Sequence, residues 1–501
     1  MGSLCFTTWF DTLIRFLVSE SFGVGLDMRM PQIWSSHRWS GRGRPVQQLV
    51  VFLVKAFKDG AWLPCPLLLQ AWPALEASAS KALNLSSSRR LVAILHADDP
   101  VFLSCSHGDM QSLLDAVHRW ASSHNAIFHA SRTKSVVMVC GGGRCDTLRL
   151  GSHDCEVPTP LFDVQSHRWL GILWPADLDF TAFLMSGMHA ASEVFAPLAG
   201  LVAAHAIPLH IAVRLFLSKV DGILNFGRWL SATSPEAQMR LDELQQSWAR
   251  CLLGAEPWHN GAVCESELGL HMSGFARAVR SVALRRARVC QLPAKDLYRS
   301  MFEHTAAQGI GWSSWSLRLL DDWGVPRLEL RVAGGSGYRA YRRLVDGVLC
   351  SKCADAWIPL AEMGAAQIPY RSFQKVQSDK LALIQRLVLP WASQLQVRSW
   401  CRLRAGLLRL RCRDGRRSRA RFQDCIFCGL TIRNAMIHVL GACPSWSVER
   451  TNFSFACGLD ATIAQGDVAV AMLDCSPTSK GFCIALDWAS KLDTATSDFW
   501  H

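Results

Sequence analysis

Hydrophobic and polar positions follow two different periods along this chain. Leu91 to Leu95 is an apolar, β-prone run, and Val101 to Ser104 is a second. Between them stands His96-Ala97-Asp98-Asp99-Pro100, so the pattern predicts a β-hairpin with adjacent carboxylates at its bend. From Gly108 to Trp120 the period changes: Leu113, Leu114, Val117 and Trp120 recur at helical spacing, predicting a helix whose apolar face packs beneath a sheet. Val136-Val137-Met138-Val139 reads as a further strand. From about Phe180 to Trp229 the chain is helical in pattern and rich in Ala and Leu, and Leu241 to Gly254 continues the helical spacing. Helices of that kind occur in any all-α domain and specify no function alone.

The acidic pair is the first candidate for chemistry. Hard cations such as Mg²⁺ take oxygen ligands, and two of them can clamp the attacking and leaving oxygens of a phosphoryl transfer. Asp is also favoured in surface turns, so the pair by itself decides little.

A second constellation lies near the C-terminus. Cys425-Ile426-Phe427-Cys428 is followed by His438 and Cys443, a Cys-x2-Cys-x9-His-x4-Cys spacing that supplies four ligands for tetrahedral zinc. Gly429 suits the tight turn after the first pair, residues 434–440 read as a short helix carrying the His, and Pro444 closes the unit. With four protein ligands no position remains for water, so the expected Zn²⁺ is structural. The competing explanation is chance in a Cys-rich chain, since Cys350-Ser351-Lys352-Cys353 repeats the Cys-x2-Cys spacing without a nearby His.

Charge and composition narrow the classes. The 501 residues are 50% hydrophobic, enough to bury cores in two or three domains. The net charge of +12 matters mainly through its placement. Ten arginines stand between Arg398 and Arg421, among them Arg402, Arg404, Arg409, Arg411, Arg413, Arg416, Arg417 and Arg419, against the single acid Asp414. Such density neutralises phosphates and predicts salt-dependent nucleic-acid binding; a solvated helix face or a nuclear-import signal is the alternative. Arg277, Arg280, Arg285, Arg286 and Arg288 form a second cluster. No signal peptide is visible, and the nineteen Cys residues lack a secreted framework, so free thiols in a nuclear or cytoplasmic compartment are expected. The apolar run from Pro197 to Leu217 is interrupted by His205, Pro208, His210 and Arg214, which argues for buried helices and against a membrane partner.

Taken in order, these elements resemble the reverse transcriptase of non-LTR (LINE-type) retrotransposons. In that family an aromatic or His residue precedes Ala-Asp-Asp on the palm hairpin, an amphipathic helix follows, and then comes an Asn-x-x-Lys-Ser/Thr element; this chain has Ser131-Arg132-Thr133-Lys134-Ser135, with Ser131 in place of the Asn. Trp169-Leu170-Gly171-Ile172 is similar to the family's aromatic-Leu-Gly turn. More loosely, Asp221 to Trp229, Leu241 to Gly254 and Glu267-Leu268-Gly269 resemble the thumb and the region after it, and many members end in a similar zinc knuckle after a basic stretch. The resemblance implies that Asp98 binds catalytic Mg²⁺ and Asp99 supports it. It also implies that Lys134 lies near the incoming triphosphate, and that Trp169, Leu170 and Gly171 hold the primer end. RNA template and DNA primer would be the partners; the oligomeric state is left open.

The chain departs from the family before the hairpin. Only 97 residues precede Asp98, too few for fingers and the first half of a palm. Lys55-Ala56-Phe57-Lys58 only faintly echoes the family's Ala-Phe-Asp motif; Phe52 stands at the position of the third metal-binding carboxylate and Lys58 replaces the second Asp. Pro64-Cys65-Pro66-Leu67 lacks the Gly of the family's Gly-Cys-Pro-Leu turn. A shifted reading frame before about Ser86 would account for this decay. The expectation is therefore an α+β chain: a degenerate segment (1–85), a partial palm with an antiparallel sheet and helices (86–175), a helical thumb-like region (176–300), a basic helical connector (301–420), a zinc knuckle (421–460) and a tail (461–501). Its expected function is that of an RNA-directed DNA polymerase relative that is catalytically incomplete, the alternative being a non-catalytic nucleic-acid-binding remnant.

Overall fold

The computed structural model describes residues 48–52, 55–57, 92–96, 99–104, 107–123, 126–128, 134–140, 147–152, 155–362, 392–408, 410, 423–460 and 463–500, with short gaps at 235, 294–296, 308, 310, 328–334, 433 and 477. These residues form a mixed α and β chain that is mostly helical, with small sheets. Two compact units emerge, Met1–Phe183 with Val282–Arg339, and Leu184–Ser281 with Ala340–His501. The segments expected as thumb-like and connector therefore each contribute to both units.

The first unit is built on strands β1 (Gln48–Phe52), β3 (Val92–His96), β4 (Asp99–Ser104), β6 (Val136–Cys140) and β9 (Phe162–Asp163), with β2 (Lys55–Phe57), β5 (Ala126–Phe128), β7 (Arg149–Ser152), β8 (Cys155–Pro160), β10 (Ser166–Trp169) and β11 (Ile172–Pro175) in two-stranded pairs. The main sheet runs β3-β4-β1-β6-β9. The hairpin expected from the apolar runs is present: β3 and β4 pair antiparallel, with His96 opposite Asp99. Val136 to Cys140 lies in the same sheet but not beside the hairpin. β1 stands between them, pairing Phe52 with Val101 on one side and with Val136 on the other. The N-terminal stretch expected to be degenerate thus supplies the central strand.

Helix α1 (His107–Ser123) packs against β4, β5 and β7. Met110, Leu113, Leu114, Val117 and Ala121 are buried, the i, i+3, i+4, i+7 face that the periodicity predicts. All five residues of β6 are buried as well. Gln111 fastens α1 to β7: its Nε2 donates to the Arg149 carbonyl and its Oε1 accepts the Arg149 N–H, both at 2.8 Å. A side chain on Gly151 would stand 2.5 Å from the His118 ring, so this close approach requires glycine.

Fifteen further helices follow in the described chain: α2 (Thr181–Ala203), α3 (Leu209–Leu215), α4 (Asp221–Asn225), α5 (Arg228–Ser231), α6 (Ala237–Leu253), α7 (Gly261–Glu267), α8 (Gly274–Gln291), α9 (Leu297–Ala307), α10 (Gly311–Asp322), α11 (Gly335–Glu362), α12 (Gln394–Arg404), α13 (Ala435–Gly441), α14 (Ser447–Cys457), α15 (Gln465–Leu473) and α16 (Phe482–Trp500). In the second unit a π-helical turn, Phe216–Val220, joins α3 to α4 and places Phe216 edge-on to Phe195 and Trp248, with centroids 6.4 and 5.4 Å away. Farther along, α12 and α16 pack together through Trp400 and Phe482, and the Ser399 hydroxyl donates to Asp493 at 2.8 Å. No described helix is long and apolar enough to cross a membrane.

Candidate metal centre

Cys425, Cys428, His438 and Cys443 converge, with their ligand atoms all within 4.8 Å of one another. The Cys425 and Cys443 sulfurs lie 3.9 Å apart, and Cys428 Sγ lies 3.2 Å from His438 Nε2. Two thiolates at tetrahedral corners around zinc, each about 2.3 Å from the ion, stand about 3.8 Å apart. The donor set and its spacing therefore fit a four-coordinate structural Zn²⁺.

Local backbone geometry makes this convergence. Strands β12 (Gln423–Asp424) and β13 (Thr431–Ile432) pair antiparallel. The chain between them folds back so that Cys425 N–H donates to the Leu430 carbonyl and Gly429 N–H to the Cys425 carbonyl, both at 2.9 Å. Gly429 has φ +73°, a left-handed conformation that costs a side-chain-bearing residue free energy. Asn434 then caps α13 by accepting the Ile437 N–H at 3.1 Å, which starts the helix that carries His438. Helix α13 ends as the Ala442 and Cys443 N–H groups both donate to the His438 carbonyl, turning Cys443 back to the other ligands.

Groups around the four ligands hold the module closed. The Phe427 ring meets Trp446 edge-on at 5.2 Å, Ser445 donates to the Phe427 carbonyl at 3.0 Å, and Arg450 donates to the Cys443 carbonyl at 3.1 Å. Burial pushes the Cys425 thiol up to about 12, against the opposing pull of the Phe427 and Cys428 N–H groups. Burial, and then the Arg450 charge, lowers His438. A dication reverses the balance at the sulfurs, because metal-bound thiols are deprotonated. Of these neighbours, Trp446 and Arg450 have no signal in the ligand spacing itself.

The remaining candidate residues are less concentrated. Asp98 lies outside the described residues, and Asp99 is the first residue of β4. Lys134 is exposed at the turn leading into β6. Leu170 and Gly171 form the two-residue turn of the β10–β11 hairpin, at φ +50° and +80°, with Trp169 opposite Ile172. The Trp169 ring does not stand free for a primer end: it is 4% exposed and packs 6.4 Å from Trp174, because an indole carries more apolar area than a solvent-facing turn favours.

Two arginines expected to bind phosphates are engaged inside the second unit. Arg404 is 7% exposed and faces Glu267. Arg402 donates to the Leu253 and Gly254 carbonyls at 3.1 and 2.8 Å and pairs with Asp493 at 3.2 Å. Arg404 is thus held by a carboxylate in the interior, and the half-buried Arg402 by a carboxylate and two carbonyls. Arg409, Arg411, Arg413, Arg416, Arg417 and Arg419 lie outside the described residues.

The 277–288 cluster is likewise largely structural. Arg277 pairs with Asp221 at 3.3 Å and Arg280 with Asp346, Arg285 is 4% exposed, and Arg286 lies 4.7 Å over the Phe302 ring. Arg288 alone of the five is exposed. No protein-family model matches this chain, and no curated protein does.

Proposed function

We propose that this chain derives from the reverse transcriptase of a non-LTR retrotransposon, retains nucleic-acid binding, and does not synthesise DNA on its own. The observation that carries the reading is the β3–β4 hairpin, which turns between His96 and Asp99 and lies in a sheet backed by α1. Its neighbour supports both halves of the proposal. β1 runs antiparallel to β4 and ends at Phe52, two residue pairs short of Asp99. A third carboxylate at the end of such a strand would complete an oxygen-ligand set with Asp98 and Asp99, and phenylalanine offers no oxygen.

In the ancestral reaction the primer 3′-hydroxyl attacks the α-phosphate of an incoming nucleotide and pyrophosphate leaves; bound Mg²⁺ would supply charge stabilisation for that transfer. Asp98 and Asp99 would hold that metal, Lys134 would face the triphosphate, and the backbone at Leu170-Gly171 would meet the primer. With too few oxygen ligands, two metals are not held in register and transfer slows by orders of magnitude. A primed homopolymer template with Mg²⁺ or Mn²⁺ and deoxynucleotides should give no extension above an Asp98→Ala control. Clear Asp98-dependent extension would overturn the incomplete-site half of the proposal.

The alternative is a non-catalytic nucleic-acid-binding remnant, in which the Arg-rich stretch and the zinc knuckle carry the whole function. The clustering of Cys425, Cys428, His438 and Cys443 supports its knuckle, a feature that the polymerase resemblance shares. A salt-dependent binding assay on RNA and single-stranded DNA tests that reading without reference to catalysis.

A further inference from the structure

We infer that helix α11 carries a nucleic-acid contact surface at Arg339, Arg342 and Arg343, where the chain grips the phosphates of a strand. All three arginines are exposed, and among the described residues none has a hydrogen-bond or ion-pair partner. They lie at i, i+3 and i+4 of one helix, so their side chains leave the same face. One helical turn, about 5.4 Å, separates Arg339 from the other two, a span over which long side chains reach neighbouring phosphates of one strand.

The acid best placed to offset these charges is already taken. Asp346, one turn further along α11, accepts from Arg280 Nε at 2.5 Å and from Arg280 Nη2 at 3.2 Å, a two-pronged pair that occupies both carboxylate oxygens. Exposed like charges one turn apart oppose helix formation, and this patch leaves them without a counter-charge. Among exposed arginines elsewhere, Arg327 pairs with Asp321, whereas Arg168, Arg214 and Arg318 are unpaired among the described residues but scattered; what marks the α11 patch is three unpaired guanidinium groups on one face. A polyanion is the partner that relieves such a patch, and Arg forks match phosphate oxygens.

The inference rests on the nucleic-acid half of the reading above and not on its polymerase half. The test uses the full chain, zinc-loaded, with labelled oligo(rU), oligo(dT) and duplex DNA of one length, between about 50 and 200 mM salt. One variant is Arg339→Gln/Arg342→Gln/Arg343→Gln. A charge-matched control at exposed, scattered arginines is Arg168→Gln/Arg214→Gln/Arg318→Gln, and a second form replaces the three α11 arginines by Lys. Circular dichroism and zinc content establish that each variant is folded.

The α11 Gln variant should bind at least about tenfold more weakly at low salt, and its single-strand salt slope should flatten by about 2, since each phosphate contact contributes about 0.7. The control should keep the wild-type slope, and the Lys form should keep most of it. Comparable loss on RNA and DNA strands identifies phosphate as the ligand; loss on only one identifies which strand the patch serves. Wild-type binding with an unchanged α11 variant would overturn the inference and leave nucleic-acid binding standing. Equal loss in the control would overturn it too, by reducing the effect to net charge. No binding by the wild-type chain would overturn both.

Discussion

Arg404 Nε lies 3.2 Å from Glu267 Oε2, with the two side chains only 7% and 5% exposed. A buried pair of this kind owes much of its mutational sensitivity to desolvation: removing one partner leaves the other charge without compensation. Arg404→Ala should therefore destabilise the chain by about 3–5 kcal/mol, and Glu267→Ala by a similar amount. Replacing both by apolar residues of similar volume should cost much less. Chemical denaturation of the single and double variants checks this. Arg404→Ala with unchanged stability and weaker nucleic-acid binding would return Arg404 to the phosphate-binding set.

The Cys425–Cys443 module should depend on metal for its fold. Cys428→Ser should lower bound zinc below one equivalent, and a chelator should remove protection from hydrogen exchange across 423–446 while the β3-β4-β1-β6 strands keep theirs. Folding and binding share one free energy in such modules, on the order of 10 kcal/mol for structural zinc. Cys483→Ser, at an exposed thiol outside the cluster, should change neither. Zinc content that is equal in Cys428→Ser and wild type would exclude the site.

The β10–β11 turn holds a non-glycine residue, Leu170, at φ +50°. Two-residue turns with both central residues left-handed favour Asn-Gly. Leu170→Asn should raise stability by about 0.5–1 kcal/mol, because the short polar Asn side chain hydrogen-bonds locally to the backbone and tolerates the left-handed conformation better than Leu. A thermal melt reads the shift. A loss of stability instead would mean that the half-buried Leu170 side chain contributes more through packing than its backbone conformation costs.

Glu265 is 6% exposed and accepts from Gln245 Nε2 at 2.7 Å. Burial raises its carboxyl to about 8 from an ordinary 4.5, opposed by the Gln245 hydrogen bond and reinforced by Asp242. A carboxyl raised in the folded state contributes its full stability below the unfolded value and loses it as pH rises through the folded one. Stability should thus fall between about 4.5 and about 8 on account of this group. Glu265→Gln keeps the hydrogen bond without the titration, so its melting temperature should climb relative to wild type across that window. Parallel curves for the two proteins would show that Glu265 is ionised throughout.

What the sequence by itself determined here is local. The buried face of α1 and the runs forming β3, β4 and β6 depend on side chains a few positions apart, and a periodic pattern records them directly. The metal ligands also fall within one short segment, so their spacing along the chain nearly sets their spacing in space. Tertiary structure alone decided the rest. β1 enters between β4 and β6 across a long connection, and its apolar run has no mark that names those partners. The arginines show the same limit most clearly. Arg404 meets a glutamate 137 residues away and Arg280 an aspartate 66 away, while Arg342 and Arg343 meet none among the described residues. A guanidinium on an aliphatic stem suits either a buried ion pair or a solvated face, and only the chain's distant packing determines which it occupies.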